Sequence, residues 1–190
     1  LLLATGLIAI FGLRLSELAV MRVDDDNELW IGGQVKRDLR VVQGAEGKAE
    51  RLVKPLELKG QPGLGRRLVM LLKSGQIKLP KAIRNQIEWV EEKGTFAGVG
   101  AAYKQQLERF HYWQILEKKH PGLSPYGLRH GWAWRSQKYS SRPLHYSQAA
   151  KLMGNSTKVF LQHYSSWVDR KELEFATDSF NAAIHENVAL

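Results

Sequence analysis

The sequence predicts a mainly α-helical domain with a small antiparallel β-sheet inserted near its start, an α+β class. Apolar residues recur at helical spacing through most of the 190-residue chain. Short β-branched and aliphatic runs, separated by glycine-rich or charged turns, lie between residues 29 and 58. The apolar content of 44% and the charged content of 25% are typical of a globular protein, and the length fits one domain with a substantial core.

The chain opens on an apolar run, Leu1 to Leu13, which predicts a buried helix. This run is too short to span a bilayer, and Arg14 closes it. It has neither a starting methionine nor a basic leader, so we expect a fragment that begins part-way along a helix. From Arg14 to Val23 the apolar residues keep a roughly helical spacing, which predicts a second helix.

Strands are predicted at residues 29–31, 39–42 and 52–58. A helix is predicted after the break at residues 61–65, and a second one has Pro80 in its first turn. The apolar positions of the first are Leu68, Val69, Leu71 and Leu72, and those of the second are Ile83, Ile87 and Val90. A long amphipathic helix is then predicted to about residue 119. Its expected inward positions are Leu107, Phe110, Ile115 and Leu116.

The net charge of +9 is concentrated in the second half of the chain. Residues 101–170 hold 11 lysines and arginines against 3 acids, a net charge of +8, whereas the segment from Lys171 onward is mildly acidic. A basic zone of this size favours a polyanion as partner, although a merely soluble basic protein has a similar composition. Because the chain has no cysteine, disulfides, thiolate metal sites and cysteine nucleophiles are excluded.

The stretch SPYGLRH, from Ser124 to His130, predicts a helix start that suits an anion. Ser124 is a favoured N-cap, and Pro125 fits the first helical position. Tyr126 and Arg129 are three residues apart, so they share a face of the first turns. An arginine and a hydrogen-bonding side chain at a helix N-terminus are suited to phosphate. Aromatic and basic residues follow, each of which also fits a packed or solvated position: Trp132, Trp134, Arg135, Lys138 and Arg142.

Asn155 and Tyr164 are nine residues apart, which on one unbroken helix places them on nearly opposite faces. If both serve one site, the helix must break between them, and we predict the break near Gln162 and His163. Taken alone, Tyr164 is better explained as a partly buried aromatic residue than as a catalytic one.

Three segments, in this order along the chain, resemble the signature boxes of the tyrosine recombinase (phage integrase) catalytic domain. GLRLSEL at residues 12–18 resembles the first box and contains Arg14. YGLRH at residues 126–130 is similar to the second, usually His-x-x-Arg-His, and contains Arg129. GNSTKVFLQHY at residues 154–164 resembles the terminal box, which ends on the nucleophile, Tyr164. The separations and the β insertion between the first two boxes also match.

The resemblance implies a catalytic domain over residues 1–170, with the family's DNA-encircling N-terminal domain absent, and a helical tail over residues 171–190. It implies site-specific cleavage and rejoining of double-stranded DNA through a 3′-phosphotyrosyl intermediate. Arg14 and Arg129 would clamp the non-bridging phosphate oxygens, and Tyr164 would attack the phosphorus. A lysine of the β-hairpin would protonate the leaving 5′ oxygen; Lys36 fits the spacing, and Lys48 is the alternative.

Two positions depart from the family pattern. Tyr126 stands where the family usually has histidine, as in a subgroup of excision recombinases that remove DNA elements. Asn155 stands where it has histidine or tryptophan, and an amide cannot carry a proton as imidazole does. Both side chains would hydrogen-bond the scissile phosphate. A DNA-binding protein with weakened or lost cleavage is therefore the alternative function, and a type IB topoisomerase is a third.

The resemblance implies neither a metal nor a nucleotide cofactor, and the sequence contains no P-loop. Asp24 to Asp26 could suggest a metal site, but at a predicted helix end before a strand they are interpreted as a solvated turn. His130 and His163 are given supporting roles, and Arg135, Lys138, Arg142 and Lys158 are the predicted DNA contacts. A homotetramer on DNA is expected, with the tail docked on a neighbouring protomer; packing of the tail on its own domain is the alternative. The expected location is cytoplasmic, at the nucleoid, with no membrane association.

Overall fold

The computed structural model describes residues 1–32, 49–90 and 95–164, together with residues 174, 177–178 and 181–182. A 3-10 helix covers Leu15–Ala19, and three strands are β1 (Met21–Val23), β2 (Leu29–Ile31) and β3 (Arg51–Val53). The α-helices are α1 (Leu2–Phe11), α2 (Leu64–Ser74), α3 (Lys81–Glu88), α4 (Ala97–Glu108), α5 (His111–Lys119), α6 (Gly127–Lys138), α7 (Tyr146–Met153) and α8 (Thr157–Tyr164). The predicted class, mainly α with a small antiparallel sheet, is confirmed.

The sheet is antiparallel in the order β1-β2-β3. The helix predicted up to Val23 is wrong beyond Ala19, because Met21–Val23 pairs with Leu29–Ile31 instead. The third strand was predicted to extend to Leu58, but the observed strand β3 ends at Val53. Pro55 follows two residues later, and its ring lacks the N–H that continued strand pairing would need. The strand predicted at residues 39–42 lies outside the described residues.

Within the described residues, two hydrophobic clusters build the interior. The larger contains most of α1, the buried positions of the sheet and inward residues of α2 to α5. The smaller joins α6, α7 and α8; its buried members are Trp132, Ala133, Ala149, Ala150, Met153, Phe160 and Tyr164. Helix α1 packs against both α2 and α6, so it connects the two clusters.

The long helix predicted to residue 119 is two helices, because the chain turns at Arg109 and Phe110 between α4 and α5. The turn changes which face of the second half is buried. Phe110 and Ile115 are therefore exposed, at 38% and 36%, while Trp113 is the buried residue of α5. Leu107 is buried as predicted, and Leu116 is half-buried.

Two helix boundaries near the predicted site also differ from expectation. Helix α6 begins at Gly127 with Tyr126 as its N-cap, because a turn in which the Gly127 N–H donates to the Ser124 carbonyl precedes it. The break before Tyr164 lies at residues 154–156 rather than at Gln162 and His163. Gly154 adopts the left-handed conformation (φ 67°) that commonly ends a helix. Within the part of the chain that the structure describes, no helix has the length and apolarity needed to cross a membrane.

Candidate active site

Arg14 stands at the junction between α1 and the 3-10 helix, where its own segment fixes it. Its backbone N–H donates to Oε2 of Glu17 at 2.7 Å, and its Nη1 donates to Oε1 of the same carboxylate at 2.7 Å. Across the site, Nη2 of Arg14 donates to the Gly154 carbonyl at 3.0 Å. The side chain keeps 24% exposure, so it is accessible from solvent.

Arg129 lies on the first turn of α6 and is 1% exposed. Its Nη1 donates to the Gly12 carbonyl, and its Nη2 donates to the Met153 carbonyl at 2.6 Å. Burial and the charge of Arg14 lower the pKa of Arg129 to about 10, which leaves the guanidinium charged at neutral pH. Two loop carbonyls, one at the end of α1 and one at the end of α7, thus hold this arginine in place.

Asn155 links the two arginines through a single atom. Its side-chain oxygen accepts from Nη2 of Arg14 at 2.6 Å and from Nη2 of Arg129 at 3.3 Å. Because both partners are donors only, this atom must be the amide oxygen and not the amide nitrogen. The three residues come from sequence positions up to 141 apart. The predicted meeting of Arg14, Arg129 and Asn155 at one place is therefore what the structure contains.

Glu17 lies at the centre of the positive charges and is 1% exposed. Besides Arg14, its Oε2 accepts from Nη2 of Arg51 at 2.9 Å and lies 3.8 Å from Nη1 of Arg129. Burial raises the pKa of Glu17, but the charges of Arg51, Arg129 and Arg14 outweigh that effect and lower it below its usual value. One carboxylate thus offsets part of the charge of three guanidinium groups.

Neither Glu17 nor Arg51 was singled out from the sequence. Glu17 follows Arg14 by three residues, a spacing typical of ordinary surface pairs. Arg51 begins β3 and reaches α7, where its Nε donates to the Leu152 carbonyl at 3.2 Å. The position of Glu17 within the GLRLSEL segment could have indicated that it belongs to the site. No local sequence pattern indicates this for Arg51.

Two glycines make the close approach of these groups sterically feasible. Gly12 has a φ of 67°, and a Cβ there would lie 2.8 Å from the Trp132 ring. Gly154 also has a φ of 67°, and a Cβ there would lie 2.8 Å from Nε of Arg51. Both turns supply carbonyls to the arginines, so both conformations serve the cluster directly.

Tyr164 ends α8 and is 3% exposed, with its ring packed against Phe160 at a centroid separation of 4.7 Å. Its hydroxyl lies 3.0 Å from Nδ1 of His130. Burial raises the pKa of Tyr164, while the charges of Arg129 and Arg14 act in the opposite direction. The fields of the arginines therefore reach the phenol, although it is His130 that contacts it.

His130 connects Tyr164 to the start of α6. Its ring meets the Tyr126 ring edge-on at 5.0 Å and the Tyr164 ring edge-on at 5.6 Å. Burial, the charge of His163 and the charge of Arg129 lower the pKa of His130. The imidazole is therefore predominantly neutral at neutral pH. Tyr126 is 41% exposed and stands at the N-cap of α6, next to the cluster on its solvent side.

The predicted DNA contacts divide into internal and exposed residues. Arg135 donates from Nη2 to the Ala9 carbonyl of α1, and burial lowers its pKa, so it joins α6 to α1 within the fold. Lys138 is half-buried, whereas Arg142 and Lys158 are exposed.

Several predicted features lie outside the described residues, namely both candidate lysines, Lys36 and Lys48, and most of the tail over residues 171–190. Among the residues that the structure does describe, no group of three or more histidine, aspartate or glutamate side chains is placed to hold a metal ion. Comparisons of the chain with known protein families, with characterised proteins and with solved structures found no match.

Proposed function

We propose that this chain is the catalytic domain of a tyrosine recombinase, which cleaves and rejoins double-stranded DNA through a phosphotyrosyl intermediate. The observation that carries the proposal is the single oxygen, Oδ1 of Asn155, that accepts from both Arg14 and Arg129. Two guanidinium donors aimed at one oxygen form the kind of site that a non-bridging phosphate oxygen occupies.

In this proposal the amide oxygen of Asn155 marks the position of a phosphate oxygen in the DNA complex. Entry of the phosphate requires Asn155 to turn aside and exchange its oxygen for that of the substrate. Its amide N–H₂ is then available to donate to the same phosphate. Arg14 is the guanidinium that solvent reaches, so it makes the first contact, and the buried Arg129 completes the clamp.

The proposed chemistry at this clamp follows from the negative charge that develops on the non-bridging phosphate oxygens. The Tyr164 oxygen attacks and forms a new O–P bond, while the bond from phosphorus to the 5′ oxygen breaks. The arginines stabilise the negative charge that grows on the non-bridging oxygens. A lysine, Lys36 or Lys48, gives the leaving 5′ oxygen its proton, and Tyr126 donates a hydrogen bond to the phosphate.

Duplex binding would extend beyond the reacting phosphate. Exposed Arg142 and Lys158 are suited to backbone phosphates on either side of it. Strand exchange between two sites requires four active centres, so the working unit is a homotetramer in which residues 171–190 contact a neighbouring protomer. Arg135 does not belong to this proposed surface, because its guanidinium donates a hydrogen bond to the Ala9 carbonyl.

The direct experiment uses a pool of nicked suicide duplexes that tiles the genomic DNA on both sides of the coding sequence. The full chain should form adducts that survive denaturation, and Tyr164→Phe should bind the same duplexes without forming them. An adduct that persists in Tyr164→Phe would remove the nucleophile assignment. Among the lysines, Lys36→Ala should reduce adduct formation far more than Lys48→Ala; the reverse result would move the acid to Lys48.

A second candidate, DNA binding without cleavage, is favoured by how closed the site is. Asn155 occupies the shared donor position, Arg129 is 1% exposed and Tyr164 is 3% exposed. If wild-type protein retains specific duplexes in a gel-shift assay but yields no adduct with the same pool, this function replaces the first.

A further inference from the structure

The contact between His130 and Tyr164 bears on a step that the two arginines cannot perform. An attacking phenol must lose its proton, and arginine has no capacity to accept one. Nδ1 of His130 lies 3.0 Å from the Tyr164 hydroxyl, within the range for direct proton transfer. His130 directly follows Arg129 on α6, so the same first turn presents both a phosphate donor and an imidazole.

The surroundings keep this imidazole in the form that can take a proton. The charged and titratable groups that face His130 are Arg129 on its own helix, Tyr126 at the start of that helix, and Tyr164 and His163 on α8. Burial, His163 and Arg129 lower its pKa, and burial raises the pKa of Tyr164. At neutral pH a neutral base therefore faces a protonated phenol.

We propose that His130 is the general base of the reaction, accepting the Tyr164 phenol proton at Nδ1 as the phenol oxygen attacks phosphorus. The O–H bond breaks, the N–H bond forms on Nδ1, the new O–P bond forms, and the 5′ oxygen leaves with a proton from the lysine acid. This inference rests on the proposed function, since it assigns a base to that same reaction.

Other side chains near the phenol are less suited to this role. Tyr126 is itself a phenol, and a phenol oxygen that already carries its proton is a poor proton acceptor. Asn155 is bonded to both arginines and an amide does not take up protons. Positions 126 and 155 hold no histidine, and in this proposal His130, the residue after Arg129, provides the imidazole.

A structural test needs no DNA. Acceptance of the phenol proton requires the tautomer with hydrogen on Nε2 and a bare Nδ1. Nitrogen-15 NMR of the histidine side chains in the full chain should find that tautomer for His130, with Tyr164→Phe shifting the Nδ1 signal. A predominant Nδ1–H tautomer, which would make His130 the donor to Tyr164, overturns the proposal.

The kinetic test measures single-turnover adduct formation on the nicked duplex pool. His130→Ala should slow it by about 10²–10⁴-fold without weakening duplex retention, and added imidazole should restore part of the rate. His120→Ala, a change at an exposed histidine that ends α5, is the matched control and should leave the rate unchanged. Equal rates for wild type and His130→Ala would overturn the proposal.

Two further measurements distinguish a general-base role of His130 from a role in packing alone. Wild-type adduct formation should fall at acid pH as His130 takes up a proton. Because the pKa of His130 is lowered, this fall should begin at a lower pH than the ordinary pKa of imidazole, whereas His130→Ala should show no such fall and should gain rate at alkaline pH as the phenol ionises. A substrate with sulfur in place of the leaving 5′ oxygen departs without an acid, so it should rescue the lysine variant and not His130→Ala.

The outcomes distinguish this inference from the proposed function. Adduct formation by wild type that is lost in Tyr164→Phe but unchanged in His130→Ala removes the base assignment and leaves the recombinase standing. Absence of any wild-type adduct removes the function itself, together with the base role that depends on it.

Discussion

The arginine cluster and the tyrosine differ in how firmly the fold holds them. Arg14, Arg129 and Arg51 are tied by hydrogen bonds to Glu17 and to carbonyls from the ends of α1 and α7. Tyr164 instead ends the last long helix of the described chain, rests on the smaller hydrophobic cluster and contacts His130. The arginine cluster is therefore built into the junction of the fold, whereas Tyr164 lies within the smaller hydrophobic cluster.

The difference follows from the charges. Bringing three guanidinium groups together is unfavourable unless acceptors surround them, because each loses hydration on burial. Glu17, the loop carbonyls and Asn155 supply those acceptors. The phenol of Tyr164 is uncharged, so its burial does not need a matching set of charged acceptors. A preassembled set of guanidinium donors suits the proposed reaction, because negative charge grows on the non-bridging phosphate oxygens in its transition state.

The largest effect expected is from Glu17→Gln. The amide keeps the shape but leaves three guanidinium groups without their carboxylate, which should lower the free energy of unfolding by about 3–5 kcal/mol. Urea unfolding monitored by tryptophan fluorescence measures it. The control is Glu28→Gln, which breaks the exposed pair with Lys54 and should cost about 0–1 kcal/mol. Similar losses for both variants would mean that Glu17 is not the centre of the cluster.

Gly154→Ala should cause the second-largest loss in the free energy of unfolding. Its Cβ would enter within 2.8 Å of Nε of Arg51, whose guanidinium cannot shift cheaply because Glu17 and Leu152 hold it. Gly75→Ala is a closely matched control, since its φ of 66° carries the same backbone strain with no atom within 4 Å. We expect about 1–2 kcal/mol for Gly75→Ala and a further 1–3 kcal/mol, approximately, for Gly154→Ala. Equal losses in Gly154→Ala and Gly75→Ala would show that the Arg51 side chain moves aside at no measurable cost.

Asn155→Ala tests the shared oxygen position itself. Removing the amide takes an acceptor from Arg14 and Arg129 and should lower the free energy of unfolding by about 1–3 kcal/mol. It should also vacate the position, so that inorganic phosphate binds roughly tenfold more tightly, as measured by an NMR titration. Gln162→Ala, at an exposed position of α8, should change neither quantity. Unchanged phosphate affinity in Asn155→Ala would contradict the oxygen-site interpretation.

The smallest stability effect is expected at Tyr164. Tyr164→Phe keeps the ring packed on Phe160 and removes the hydroxyl with its contact to His130, so it should cost about 0.5–1.5 kcal/mol in urea unfolding. A loss as large as that of Glu17→Gln would erase the distinction between the arginine cluster and Tyr164.

The sequence predicted the helical class and the sheet insertion, because these depend on local periodicity. The expected convergence of Arg14, Arg129 and Asn155 was implied by the family resemblance of their segments, since no local pattern relates residues up to 141 apart. It did not predict Glu17 and Arg51 as parts of the cluster, since their burial depends on contacts across 34 residues and more. The strand at Met21–Val23 differs from the predicted helix because three residues are too few to separate the two periodicities. The helix break lies at Gly154, a left-handed glycine of the kind that commonly ends helices, and not at Gln162 and His163 as predicted.

The central claim is that Tyr164 becomes covalently joined to DNA held by Arg14 and Arg129. Trypsin cuts after Lys158 and Arg170, so it isolates residues 159–170, in which Tyr164 is the only tyrosine. The most direct measurement is mass spectrometry of adducts formed on the nicked duplexes, after nuclease and trypsin digestion. We predict a nucleotide attached to Tyr164 in this peptide, and none in Arg129→Ala. A nucleotide on any other residue, or none in wild-type protein, would contradict the account.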